Sequence, residues 1–419
     1  MLSFTAIISA IAPSAENNTI TNSYNDDSHI IKNPRVPYVG QNNDSFCVFA
    51  SIAMLIGYHG FNTTLQEILH HSGFGYSQLY YGISILSRIP MGGSGVGQMS
   101  FNMEFLAQLY NLSFHDYTIT GNQSPDILWD RYWSRVKNLI LTDTPIETSV
   151  DPLSLPYYRN KFNITDNETY GGHAIVLVGF NESNETVCYN DPGTAIFNEE
   201  KNGTYTFVEY EIFREAVENT GGQKYHIWTF ENNSNSQPSS EKERFETAHE
   251  QNLRRLRGDL EVYYGYDVEP SDLPFPYNLL FTYCYFHGVN ASKALKRDLQ
   301  PGLIHRITTV NIYKNYNKNM DLPVDIFYDS IYIEKHNVSR YLLDNNHLSP
   351  VCTHDGVLLQ EESHLWRNLS LLVQELNRIS ENNGLIKTLI LSGDLLNEMT
   401  IVLEDIIDIE ETIIRNSQI

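Results

Sequence analysis

Residues 41–60 read QNNDSFCVFASIAMLIGYHG, a polar loop that runs into a long apolar stretch and ends at glycine. Three residue types that cap helices precede the cysteine, namely Asn43, Asp44 and Ser45. The pattern predicts an apolar helix over Val48–Ile56 that ends at Gly57 or Gly60. Cys47 would then stand at the helix N-terminus, where the dipole and unpaired N–H groups favour a thiolate. The sequence predicts a nucleophile here, and the alternative is a small apolar residue that opens a core helix.

Gln41 lies six residues before Cys47. We expect its side-chain amide to turn back toward the start of the helix. Together with the backbone N–H of Cys47, it would provide two donors for the oxyanion of a tetrahedral intermediate. Gln41 is therefore a candidate oxyanion-hole residue.

A second informative stretch, residues 171–193, reads GGHAIVLVGFNESNETVCYNDPG. Its alternation and turn residues predict a β-hairpin with a turn near Ser183. Residues whose numbers add to 366 then face each other, so Asp191 faces Ile175. His173 lies on the same face of the sheet, one diagonal step from Asp191 and roughly 7 Å away at Cα. The pattern predicts His173 as a general base and Asp191 as the carboxylate that orients it. A register slip of one residue would put Asn190 in that place, and the alternative for the histidine is a satisfied core residue.

The two stretches together resemble the papain-like cysteine peptidases of the bacteriocin-processing kind, which cleave leader peptides after a double glycine. The likeness covers roughly residues 37–230. It implies that Cys47 is the nucleophile, His173 the general base, Asp191 the carboxylate that orients the base and Gln41 the oxyanion donor. It implies an α+β, papain-like fold, in which an N-terminal helix with the cysteine packs on an antiparallel sheet with the histidine and aspartate. The implied reaction is hydrolysis of a peptide or amide bond through a thioester, without a cofactor. This family usually has glycine after the nucleophile, where the chain has Val48.

A second likeness concerns the segments PIETSVD at 145–151 and LPYY at 155–158, and the helical C-terminal half with Trp366. They are similar to the butirosin-biosynthesis acyltransferases, which use the same Cys-His chemistry to pass an acyl group to an amine. The likeness implies transfer from a thioester or amide donor as the alternative to hydrolysis. It also makes Asp151 and Tyr157 candidate substrate-binding residues. A further alternative is a catalytically inactive binding module on the same fold.

The polar segment ENNSNSQPSSEKE at 231–243 is a predicted linker. Four runs before it predict strands, at 175–180, 186–191, 204–210 and 225–230. After it, leucine and isoleucine recur at helical spacing, first over Leu365–Ile379 and then over Leu395–Ile407. We therefore expect a catalytic domain over 31–230 and a mostly helical domain over 244–419.

Composition removes several classes of function. The chain of 419 residues has a net charge of −23. Such a surface repels phosphate backbones, so nucleic acid is not an expected partner. No apolar run reaches the roughly 18 residues that cross a bilayer. The glycine-rich run GGSGVG at 92–97 lacks the Lys-Ser/Thr of a phosphate loop and is predicted to be a flexible loop.

The four cysteines, Cys47, Cys188, Cys284 and Cys352, form no CxxC pair, and no HExxH occurs. His70 and His71 are adjacent and would lie on different faces of a helix, so no metal site is predicted.

Residues 1–30 begin with a short apolar core that has the length of a signal peptide but no basic residue before it. The alternatives are an ordinary strand and a flexible tail. Sequons such as Asn62-Thr63-Thr64 favour a secreted glycoprotein, and a cytoplasmic location is the alternative. In a secreted protein, Cys284 and Cys352 could form a single disulfide, and the sequence leaves their state open. The sequence gives no oligomeric state.

Overall fold

The computed structural model describes most, but not all, of the chain. The described residues are 28–41, 46–74, 76, 79–83, 102–164, 171–233, 239–263, 266–268, 283–299, 307, 335–345 and 350–417. Three predictions therefore fall outside them: the signal peptide or tail before residue 28, the capping residues Asn43, Asp44 and Ser45, and the glycine-rich loop at 92–97. Most of residues 262–332 also falls outside.

The strands are β1 (Ser28–Ile30), β2 (Leu79–Ile83), β3 (Leu112–Asp116), β4 (Ile146–Val150), β5 (His173–Asn181), β6 (Thr186–Asn190), β7 (Thr206–Glu209), β8 (Trp228–Asn232), β9 (Glu261–Tyr263), β10 (Tyr266–Val268) and β11 (Tyr283–His287). The helices are α1 (Cys47–Tyr58), α2 (Leu65–His71), α3 (Met103–Leu109), α4 (Pro125–Leu141), α5 (Pro156–Phe162), α6 (Glu200–Gly203), α7 (Tyr210–Asn219), α8 (Glu241–Arg257), α9 (Gly288–Leu299), α10 (335–344), α11 (Pro350–Glu381), α12 (Leu385–Leu391) and α13 (Gly393–Asn416). Short 3-10 helices cover Pro152–Ser154 and Pro192–Phe197.

A seven-stranded antiparallel sheet organises the first half of the chain. Its order is β3-β8-β4-β5-β6-β7, and β1 pairs with the far end of β5. The central strand β5 is apolar along nearly its whole length and is buried from His173 to Phe180. An uninterrupted apolar run is what a strand covered on both faces requires. The α+β class predicted from the sequence is confirmed.

All four predicted strands of this half form, as β5, β6, β7 and β8. In the β5–β6 hairpin, Val176 faces Asn190 and Leu177 faces Tyr189, which is the register with numbers that add to 366. A bulge between Leu177 and Gly179 shifts the pairing by one residue nearer the turn. The end of the hairpin that carries His173 therefore keeps the predicted register.

Helix α1 begins at Cys47 and packs against β5 and β4. Every residue from Phe49 to Ile56 is buried, so the helix lies inside the molecule and is apolar all round. The residue at its N-cap is Phe46, which makes no side-chain capping bond. The three predicted capping residues lie outside the described part of the chain, so their capping role stays a prediction.

The second half is mostly helical, as predicted. Helices α11 and α13 pack along each other and hold one apolar cluster centred on Trp366, Leu376 and Leu403. The other end of this helical half joins the core of the sheet domain. Phe245 and Leu256 on α8 and Leu342 on α10 belong to the same apolar cluster as α1 and β5. The apolar core is therefore continuous between the residues before and after the segment 231–243, and the two-domain boundary stays a prediction.

Within the described part of the chain, none of the helices combines the length and the apolar character that a bilayer-spanning segment needs.

Candidate active site

Three elements bring a cysteine, a histidine and an aspartate together. Cys47 is the first residue of α1, and His173 is the first residue of β5. Asp191 directly follows β6, which is hydrogen-bonded to β5. The three side chains have little access to solvent, since Cys47 is 9% and His173 7% exposed.

The contacts run from the thiol through the imidazole to the carboxylate. His173 Nε2 donates to Asp191 Oδ1 over 2.7 Å. The Cys47 side chain lies within hydrogen-bonding reach of His173. Asn190, the residue that a slipped register would have put in this place, lies elsewhere, and its Oδ1 accepts the backbone N–H of Tyr205. The geometry thus pairs the histidine with Asp191.

The electrostatics favour a protonated histidine. Burial lowers the pKa of His173, but the charge of Asp191 and its hydrogen bond outweigh burial, and the Cys47 contact acts in the same direction. Together they raise the pKa of His173 to about 10. At neutral pH this imidazole therefore holds its proton and is a cation beside the Cys47 sulfur.

Asp191 is fixed by its own backbone as well as by its side chain. Its N–H donates to Gly203 O over 2.7 Å, and its carbonyl accepts the Tyr38 hydroxyl over 3.0 Å. Its Oδ1 also accepts the N–H of Gly193 over 2.8 Å, which caps the 3-10 helix that starts at Pro192. The Asp-Pro-Gly sequence is the local reason, since aspartate caps helices and proline suits the first helical position.

Gln41 is 2% exposed and lies beside this turn. Its backbone N–H donates to Pro192 O over 3.1 Å, directly after Asp191 in the chain. The preceding Gly40 is packed so closely that a Cβ there would lie 2.3 Å from Ala195 Cβ. The Gln41 segment is therefore locked to the turn that carries the aspartate.

The two predicted substrate-binding residues have partners within the protein. Asp151 caps a short 3-10 helix, where it accepts the Ser154 hydroxyl over 2.8 Å and the Leu153 N–H over 3.3 Å. The Tyr157 hydroxyl donates to Glu199 over 2.9 Å. The Asp151 contacts have a local structural purpose, and the substrate-binding role of both residues stays a prediction.

Two residues at the site were not selected by sequence reasoning. The Tyr158 hydroxyl donates to Asp191 Oδ1 over 3.1 Å and lies 3.5 Å from His173 Nε2. A Cβ on Gly193 would lie 2.2 Å from that hydroxyl. The available signals were the Leu-Pro-Tyr-Tyr segment itself and the glycine after Asp-Pro, but neither says which tyrosine faces the hairpin.

A second buried histidine–carboxylate pair lies in the same sheet. His226 Nε2 is 2.7 Å from Glu147 Oε2, and both side chains are almost fully covered. Burial lowers the pKa of His226, but the charge and hydrogen bond of Glu147 raise it overall. The Trp228 ring packs on the imidazole with centroids 4.4 Å apart. This pair joins β4 to the segment before β8.

The adjacent histidines of α2 are both buried against α8. The ring of His70 stacks on Phe245 with centroids 5.2 Å apart, and His71 Nδ1 lies 3.0 Å from the Tyr110 hydroxyl. Burial is the main cause that lowers the pKa of His71 to about 3 and that of His70 well below its usual value. Both are therefore neutral at pH 7. Among the described residues, no three histidine, cysteine, aspartate or glutamate side chains converge as metal ligands would.

Comparison with known proteins relates one segment of the chain to a family model. Residues 34–225 match the model of the Peptidase C39-like family. A crystal structure from Bacillus anthracis, described as a C39-like peptidase, aligns with 50% of this chain and 100% of its own at 19% identity, with a TM-score of 0.32. No curated protein matches the chain. The matched segment includes all four residues that the sequence nominated for catalysis. This segment, a little under half of the chain, supports a relation to the papain-like cysteine peptidases.

Proposed function

We propose that the protein hydrolyses a peptide or amide bond through Cys47, His173 and Asp191. The observation that carries the proposal is the continuous contact from thiol to imidazole to carboxylate among residues from three separate elements. A nucleophile, a base and a group that orients the base are what covalent catalysis requires. The match to the Peptidase C39-like family model supports the peptidase class.

In the first half-reaction, the Cys47 thiolate attacks the carbonyl carbon of the scissile bond. The electron pair of the C=O bond moves to the oxygen, and the Gln41 amide and the Cys47 backbone N–H stabilise that oxyanion. When the intermediate collapses, the C–N bond breaks and His173 gives its proton to the departing nitrogen. The products are an amine and a thioester on Cys47.

In the second half-reaction, water attacks the thioester and His173 accepts the proton of that water. Collapse of the second intermediate breaks the C–S bond, releases the carboxylic acid and regenerates the thiolate–imidazolium pair. Asp191 keeps the imidazole in one orientation and stabilises its cationic form in both halves, without itself taking the proton.

Acyl transfer is the second candidate, with an amine in place of water in the second half-reaction. The observation in its favour is that α5, which starts inside the Leu-Pro-Tyr-Tyr segment, lies against the catalytic pair through Tyr158. Hydrolysis and transfer share every proposed catalytic residue. Incubation of a thioester-forming substrate with and without a primary amine separates them, because only a transferase converts most of the acyl group into the amide.

The first test is selective alkylation. At pH 7, iodoacetamide followed by peptide mapping is expected to label Cys47 first. Cys188 is the internal comparison. It is buried on β6, in the hairpin that carries His173 and Asp191, and burial raises the pKa of its thiol to about 12. Cys188→Ala should leave the rapid label in place, and Cys47→Ala should remove it. Rapid labelling of Cys284 or Cys352 instead would contradict the assignment of the nucleophile.

The second test is turnover of a peptide that ends in Gly-Gly-aminomethylcoumarin. His173→Ala is expected to lower kcat by several orders of magnitude, because the base and the cation beside the sulfur are lost together. Asp191→Asn should cost less, since an amide still orients the ring. Gln41→Ala should cost about 10²-fold with folding intact. A folded His173→Ala protein with full kcat would overturn the mechanism, and an inert wild type that also resists iodoacetamide would favour the inactive binding module.

A further inference from the structure

Among the described residues, two side chains donate a hydrogen bond to Asp191 Oδ1, those of His173 and Tyr158. That oxygen accepts three bonds, from His173 Nε2 at 2.7 Å, from Gly193 N at 2.8 Å and from the Tyr158 hydroxyl at 3.1 Å. The Gly193 bond comes from the backbone and belongs to the local turn. Tyr158 reaches the oxygen from α5, a separate element, so its bond has no such local origin.

The phenol ring also contacts the imidazole directly. The rings of Tyr158 and His173 meet edge to face, with centroids 5.8 Å apart and planes at 79°. Tyr158 is only 6% exposed. Because Gly193 has no side chain, the hydroxyl can occupy the space where a Cβ would stand. The ring is therefore packed in one position against the two groups that it contacts.

The phenol acts only as a neutral donor. Burial, followed by the nearby charge of Asp191, raises the pKa of Tyr158 far above its usual value. The hydroxyl keeps its proton over the whole range in which a peptidase works. It can therefore share the negative charge of Asp191 without competing for the proton of His173.

We infer that Tyr158 is a positioning residue, which holds the Asp191 carboxylate in place by its hydroxyl and the His173 ring by its edge. This inference rests on the proposed function, since it concerns the same pair. A donor on the carboxylate draws charge away from the oxygen that faces Nε2. Without the hydroxyl, that oxygen attracts the imidazolium more strongly, and the histidine keeps its proton to higher pH. The Asp191 carboxylate also gains freedom to rotate, so a smaller fraction of the enzyme molecules holds the His173 ring in the orientation that catalysis needs.

The test compares Tyr158→Phe with Tyr132→Phe in the full-length protein. Phenylalanine keeps the ring contact and removes only the hydroxyl. Tyr132 is a matched control, since it is fully buried and its hydroxyl bonds Thr148, away from the pair. The first readout is the rate of Cys47 alkylation by iodoacetamide from pH 4 to 11. The second is kcat and KM with the Gly-Gly-aminomethylcoumarin peptide.

For Tyr158→Phe, the alkaline limb of the alkylation profile is expected to move up by about 0.5 pH unit. We expect kcat to fall about 10-fold with KM nearly unchanged, because the hydroxyl contacts the catalytic pair and not the substrate. Tyr132→Phe should leave both readouts at the wild-type value.

An alkaline limb that is unchanged or lowered in a folded Tyr158→Phe protein would overturn the inference. A limb that moves equally in both variants would also overturn it. Failure of the proposed function has a different signature, namely a wild-type Cys47 that reacts no faster than a free thiol at any pH.

Discussion

Gly193→Ala is the change that tests the packing of the site most directly. A Cβ at this position would lie 2.2 Å from the Tyr158 hydroxyl oxygen, 3.0 Å from His173 Cε1 and 3.2 Å from Asp191 Oδ1. Ordinary carbon contacts are near 3.5 Å, so the phenol or the turn must move by about 1 Å. The phenol cannot swing into solvent, because it is packed in the protein at 6% exposure.

The expected effects follow from that displacement. Overpacking of this size costs about 1–3 kcal/mol of stability. A shift of about 1 Å in a catalytic group lowers kcat/KM about 10²-fold. The variant should therefore remain folded but lose most of its activity. Urea unfolding measures the first effect, and turnover of the Gly-Gly-aminomethylcoumarin peptide measures the second.

Two further variants make the test specific. Gly384→Ala is the control, because a Cβ there meets nothing within 4 Å. Adding Tyr158→Phe to Gly193→Ala removes the atom that clashes first, so the double variant should lose less than the sum of the two single losses. A Gly193→Ala protein with wild-type kcat/KM and a wild-type alkylation rate would refute the reasoning.

Three other predictions concern stability. Because the pKa of His173 is raised, its pairing with Asp191 stabilises the fold fully below pH 6.5, and this stabilisation is lost as the pH rises toward about 10. The free energies of unfolding of wild type and His173→Gln, measured in urea, should therefore converge over that range. A constant difference between the two proteins would contradict the pairing. His70 and His71 are both held neutral in the fold, so each lowers the free energy of unfolding by about 1.4 kcal/mol per pH unit below pH 6.5. His70→Phe should remove the share of His70 and make the acid limb less steep. An unchanged acid limb would count against this prediction. A chain that ends at Asn233 lacks α8 and should unfold at a lower urea concentration than one that ends at Leu260. The reason is that each large apolar side chain of α8 in the shared core contributes about 1.5–3 kcal/mol to the free energy of unfolding. Equal urea midpoints of the two chains would mean that α8 adds nothing to this core.

Much of the hairpin could be predicted because its determinants are local. Turn residues near Ser183 and the apolar run of β5 together specify the register, and the register decides which residue faces His173. The bulge at Gly179 was not predicted. It lies where β1 joins the edge of β5, and a Cβ on Gly179 would lie 2.8 Å from His29 O. That close approach comes from a strand far away in the sequence, so the hairpin alone does not indicate it.

The choice between Tyr157 and Tyr158 depends on information that the sequence lacks. Adjacent residues of a helix point about 100° apart. On α5 one tyrosine faces Glu199 and the other faces Asp191, and only the docking of α5 onto the sheet decides which. The core shared by the two halves of the chain could not be predicted for the same reason, because it also depends on how distant elements dock. The polar residues at 231–243 indicate a break in the pattern, but they do not reveal that Phe245 on the next helix packs back on His70.

The order of the site residues along the chain has a consequence for how the protein folds. His173 and Asp191 are 18 residues apart on one hairpin, so they can meet as soon as that hairpin closes. Cys47 precedes them by most of the domain and reaches them only when α1 docks on β5, a contact of high sequence separation that forms slowly. During synthesis the thiol therefore emerges long before its base, and a partly folded chain carries the nucleophile without the imidazolium beside it. Full nucleophilic reactivity therefore requires the docking of α1 on β5, so the rate of Cys47 alkylation reports on that step of folding.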